Sequence, residues 1–119
     1  MELEQSDEIL EAEDLSIHAR DGLVLVAGRA VTLSVREFQL LRALVRHKGG
    51  IVSRAELYDE VWGGELRDGD RSIDVYVHKL RAKLEAARPQ RRYIHTHVGF
   101  GYRFSAEPSH PFHTPATPG

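Results

Sequence analysis

The sequence predicts an α+β fold: a small antiparallel sheet, then a three-helix bundle, then a C-terminal β-hairpin. Three observations carry that expectation. Short apolar runs broken by turn residues fill residues 15–33. Two Ser-x-x-Glu capping boxes, Ser34–Glu37 and Ser53–Glu56, each open a stretch with helical apolar spacing. A third such stretch, residues 71–84, is followed by two strand-like runs around Gly99.

Taken in order, residues 1–13 are acidic and weakly patterned, and read as a linker. Leu15 to Ala19 is a first strand, Asp21-Gly22 a two-residue hairpin signal, Leu23 to Val26 a second strand, and Ala30 to Leu33 a third after the turn at Gly28-Arg29. Such a meander is too thin to stand unless something packs on one face. Phe38, Leu41, Leu44 and Val45 form the core stripe of the first helix, which Gly49-Gly50 ends. Leu57, Val61 and Tyr58 carry the second helix inward, and Gly63-Gly64 ends it. A polar loop leads to the third helix, with Asp70 as its expected N-cap, and Pro89 lies just past its end. The folded unit is expected over residues 14–105. The Pro-rich stretch 106–119 has too little apolar content to pack and is expected to be a disordered tail.

The third helix is where function is expected. Ile73, Val77, Leu80 and Leu84 lie on one face; Arg71, Val75, His78, Lys79 and Ala82 lie opposite, with Arg81 on one shoulder and Lys83 and Tyr76 on the other. Arg and Lys can reach phosphates or guanine edges, and small apolar groups can touch thymine methyls, so this face suits a DNA major groove. A solvated amphipathic helix would show a similar pattern. Asp74 is the odd acid there: it can pair with a neighbouring Arg or His78 and fix its aim, or simply favour the helix dipole.

The formal net charge is −2, but it is unevenly spread. Residues 1–14 hold seven acids and no Lys or Arg, whereas residues 71–103 hold eight Lys and Arg against two acids. A polyanion responds to the local field of a face, not to the whole-chain sum. There is no Cys, so no disulfide or thiolate metal site. His95 and His97 share a strand face but lack further ligands, so no metal or other cofactor is expected. Without a Gly-rich phosphate loop or a nucleophile elbow, an enzyme is not expected. No apolar run approaches the roughly 20 residues of a membrane span, and the start is acidic where a secretory leader is basic, so the chain reads as cytoplasmic.

Five stretches together resemble the OmpR/PhoB-type winged-helix effector domain of bacterial two-component response regulators: residues 33–41, 52–57, 61–63, 71–84, and Tyr93-Ile94 with residues 99–104. The resemblance covers roughly residues 14 to 105. It implies a helix-turn-helix whose third helix reads promoter DNA, and a C-terminal hairpin that serves as a wing. Carried over by position, Arg71, Ser72, His78, Lys79 and Arg81 become the DNA-facing polar residues and Val75 the thymine-methyl contact. His95, His97 and Arg103 become wing contacts. The loop at residues 62–70, with Trp62, Glu65, Arg67 and Asp68, becomes the surface that touches RNA polymerase; packing at the helix end is the other reading of Trp62. Binding to direct repeats beside a second copy of the chain is also implied. Two departures stand out. Relatives commonly carry an Arg at the wing tip where this chain has Val98, so a fixed cation for the minor groove is missing and a neutral His97 or His95 would have to substitute. No phosphoacceptor receiver is read ahead of the unit, so the expectation is either an excised effector domain or one without phosphorelay control, and the acidic start would suit an interdomain linker. Two rival readings are a winged-helix protein-interaction module without specific DNA binding, whose basic face meets an acidic partner, and RNA binding through the RNP1-like run at residues 99–104.

Overall fold

The structure is a computed structural model that describes residues 8–109. The predicted linker at residues 1–7 and the predicted tail from residue 110, with His110 and His113, lie outside the described residues. Within them the folded unit is wider than 14–105 at both ends.

The chain opens with four strands in a meander: β1 (Ile9–Ala12), β2 (Leu15–His18), β3 (Leu23–Val26) and β4 (Arg29–Val31). β1 corrects the linker reading. Its acids hide a period-two pattern in which Leu10 and Ala12 face inward, and its partner β2 pairs Ala12 with Leu15 and Ile9 with His18. The acids are used rather than merely solvated. Glu8 accepts from Arg46 at 2.8 Å, and the Glu11 carbonyl accepts from Lys48 Nζ at 2.9 Å. Asp14 accepts from Arg88 at 2.7 Å and from the Tyr93 hydroxyl. The Asp21-Gly22 signal marks a real reversal, but a longer one: a 3-10 turn at Ala19–Asp21 closes on Gly22 at φ 62°. The tight turn instead falls at Ala27-Gly28, one residue earlier than read, where both residues have positive φ between the paired Val26 and Arg29.

Three helices follow, α1 (Val35–Arg46), α2 (Arg54–Val61) and α3 (Ser72–Ala87). Both capping boxes form. Ser34 and Glu37 exchange hydrogen bonds at the start of α1, and Ser53 and Glu56 do so at α2. At α3 the cap position is Arg71 and not Asp70. Asp70 still serves the helix end by accepting from the Ser72 N–H at 2.8 Å. Leu40, Leu41 and Leu44 of α1, Leu57 of α2, and Ile73, Val77, Leu80 and Leu84 of α3 are almost fully buried against one another and the two sheets.

The second sheet has the order β5-β7-β6, with β5 (Ile51–Val52), β6 (Arg91–His97) and β7 (Gly101–Pro108). β5 is too short to show a period, so the sequence did not announce it. β7 passes so close to β5 that a Cβ on Gly101 would lie 2.1 Å from the Val52 carbonyl oxygen; the glycine also has φ 139°. Phe100, read as part of the last strand, sits in the turn, where its N–H donates to the His97 carbonyl at 2.8 Å. Among the described residues no helix is long and apolar enough to cross a membrane.

Candidate nucleic-acid interface

The site begins with the amphipathicity of α3. Since Ile73, Val77, Leu80 and Leu84 are at most 1% exposed, the opposite face has to look outward. Arg71, Val75, His78 and Lys79 are exposed, and with Asp74 they line one shallow open depression along the helix. The Arg71 side chain keeps 80% of its surface accessible and Val75 keeps 46%. Lys79 Nζ sits 5.0 Å from the centre of the Tyr76 ring, a cation–π placement that steers a flexible chain. Ser72 is half-buried at the helix start.

Two of the basic residues on this helix are otherwise engaged. Arg81 Nε donates to the Ile94 carbonyl at 3.0 Å and its Nη2 to the Thr96 hydroxyl, which ties α3 to the wing strand β6. Lys83 turns to α1 and donates to Glu37 at 2.7 Å. Burial of Glu37 works against its charge, but Lys83 and the Ser34 cap outweigh it and hold the carboxyl below the usual range.

Of the three wing candidates, Arg103 and His97 bond each other, and His95 shares Glu107 with Arg103. Arg103 Nε donates to His97 Nε2 at 3.0 Å, and its Nη1 donates to Glu107 at 3.2 Å. His95 Nε2 donates to the Ser105 carbonyl at 2.8 Å and lies 3.7 Å from Glu107. The wing tip itself is apolar, with Val98 88% and Phe100 73% exposed.

In the loop after α2, Trp62 is half-buried, stacked on Tyr58 at 5.4 Å and edge-on to Tyr76 at 5.5 Å, with the Arg36 guanidinium 4.8 Å from its ring centre. It anchors the loop root to α1 and α3, in keeping with the packing reading. Glu65, Arg67 and Asp68 are exposed beyond it.

Sequence reasoning missed Arg54. Its Nε donates to Asp74 at 2.7 Å, and Asp74 also accepts from the Tyr102 hydroxyl of β7. Burial opposes charge at Asp74, yet the bonds from Tyr102 and Arg54 hold its carboxyl below the usual range, while burial and the Asp74 anion push the Tyr102 phenol up. Nothing local in a sequence marks residues 54, 74 and 102 as neighbours.

A domain family described as "Transcriptional regulatory protein, C terminal" matches residues 28–104. The chain belongs to that family. It is a family of transcriptional regulatory domains, not of enzymes. The OmpR/PhoB resemblance therefore stands. Among family relatives, the sensory transduction protein RegX3 of Mycobacterium leprae is 36% identical over 103 residues, which is 87% of this chain and 52% of that protein. The alkaline phosphatase synthesis transcriptional regulatory protein SphR of Synechococcus elongatus is 37% identical over 95 residues, 80% of this chain and 37% of that one. The chain thus spans about half the length, or less, of the curated relatives it matches. Among solved structures, the DNA binding domain of CpxR from E. coli aligns with TM-score 0.74 and 33% identity, covering 84% of this chain and 99% of that one. The Klebsiella pneumoniae RstA DNA-binding domain, solved in complex with the RstA box, aligns with TM-score 0.74 and 31% identity, covering 82% and 97%. These neighbours share the winged-helix architecture of sheet, three helices and hairpin.

Proposed function

We propose that this domain is the sequence-specific duplex-DNA-binding output module of a cytoplasmic response regulator of transcription, with α3 in the major groove. One observation carries the reading: the polar face of α3 is open while its apolar face is wholly buried, in a fold that the DNA-complexed RstA domain shares. Arg71, His78 and Lys79 supply donors for phosphate and base edges, and Val75 supplies an apolar contact for a thymine methyl. Arg81 braces the wing against α3, and the bonds that His95, His97 and Arg103 make within the wing stiffen it beside the duplex rather than supply free cations to it. The domain sits beside a second copy on direct repeats, and the exposed Glu65, Arg67 and Asp68 meet RNA polymerase.

The test is a mobility-shift titration on duplexes selected from a random pool, at two salt concentrations. Log affinity should fall with log salt with a slope of about −0.9 per phosphate neutralised. A flat response with no shifted species, together with binding to an acidic protein, would favour an interaction module. Preference for single strands in the same assay would favour RNA.

A further inference from the structure

An acid on a helix that faces a polyanion weakens binding unless it does something else. Asp74 lies in the same depression as Arg71, Val75, His78 and Lys79. Its Oδ1 accepts twice, from Arg54 Nε of α2 and from the Tyr102 hydroxyl of β7. The Tyr102 ring lies within cation–π reach of two guanidinium groups, Arg54 at 5.5 Å and Arg81 at 5.7 Å from its centre. The carboxylate is thereby fixed from α2 and the wing at once. Its second oxygen, Oδ2, lies 3.9 Å from Arg71 Nη1.

We propose that Asp74 is a positioning residue for specificity: through Oδ2 it holds the Arg71 guanidinium in the orientation that presents two donors to a guanine edge. The inference rests on the duplex-DNA reading above. Phosphate accepts an Arg from many directions, whereas guanine O6 and N7 need the planar fork aligned. A long exposed Arg side chain spreads over many rotamers, and a carboxylate that is itself locked removes part of that freedom. The anion lowers affinity for any phosphate backbone and raises the ratio of specific to non-specific binding. Opposite effects on those two quantities set this role apart from a merely structural one.

The experiment compares the whole chain with its Asp74→Asn variant on a selected duplex and on a shuffled duplex of equal composition. The variant should bind the shuffled duplex more tightly and lose roughly tenfold in the selected-to-shuffled ratio. In an Arg71→Ala background the same substitution should leave the ratio unchanged, because the group it positions is gone. Tyr102→Phe, which keeps the carboxylate and removes one of its anchors, should shift the ratio in the same direction by less; it also serves should the Asn variant fail to fold. An unchanged ratio in a folded Asp74→Asn protein overturns the inference, as does an equal loss with and without Arg71. A parent chain that does not separate the two duplexes overturns the DNA reading itself.

Discussion

The reading helix and the wing carry comparable basic chemistry and use it in opposite ways. On the outer face of α3, Arg71, His78 and Lys79 are exposed, and among the described residues their partners are the Asp74 carboxylate, 3.9 Å from Arg71, and the Tyr76 ring beneath Lys79. On the wing, Arg103 is held by His97 and Glu107, and His95 by Ser105 and Glu107. Arg81 belongs to the wing in this sense, since its donors go to Ile94 and Thr96. Counting cations along residues 71–103 overstates what a phosphate backbone can engage. The field of a face is set by charges without an internal partner, and exposed charges exchange partners at little cost whereas braced ones do not.

The largest expected effect removes the wing from the comparison. Gly101→Ala drives a Cβ into the Val52 carbonyl at a φ of 139°, and neither backbone can give way cheaply. A loss of roughly 3 kcal/mol or more is expected in urea unfolding. A variant as stable as the parent would show that the β5–β7 approach is looser than described.

Next comes Lys83, a basic residue of α3 that belongs to neither surface. Lys83→Met leaves the Glu37 carboxylate, 4% exposed, without its cation. Since Lys83 itself is 42% exposed and solvent screens the pair, about 1–2 kcal/mol of stability should be lost. The salt slope of duplex binding should not move. A changed slope would return Lys83 to the reading face.

The comparison itself is tested by three substitutions. Arg71→Ala and Lys79→Ala should each weaken binding to a selected duplex by about 1–3 kcal/mol. Arg103→Ala should change it by less than about 0.5 kcal/mol, because its donors are engaged by His97 and Glu107. Equal losses for all three, measured by titration at one salt concentration, would erase the distinction between the two surfaces.

The smallest effect is in pH. Glu37 and Asp74 are held below their ordinary values of 4.5 and 3.8, and both are partly or wholly shielded from solvent. A depressed carboxylate contributes stability that is fully present above its unfolded pKa and is lost as pH falls through the folded one. The urea midpoint should therefore stay flat in these two groups above pH of about 5 and drop below about 4.5. Glu37→Gln should make that acid-side drop shallower.

Much of this was written locally. The two Ser-x-x-Glu boxes form, and the Ile73–Val77–Leu80–Leu84 stripe is buried, because a cap and a helical period depend only on residues within a few positions. The acids around β1 suggest solvation, and only the fold shows that β2 pairs with the strand, that Arg46 meets the Glu8 carboxylate and that Lys48 meets the Glu11 backbone carbonyl. β5 was missed because two residues have no period, and a strand that short exists only because β7 runs beside it.

By itself the sequence determined the three helices, the C-terminal hairpin and which face of the third helix looks outward, since each is encoded in local spacing. The tertiary structure decided which outward groups are available. Arg81, Lys83 and Arg103 have the same charge as Arg71, but their donors are taken by residues 4 to 46 positions away, Glu107, His97, Ile94, Thr96 and Glu37. A long side chain commits to whichever acceptor folding brings within about 3 Å, and no pattern along the chain records that distance.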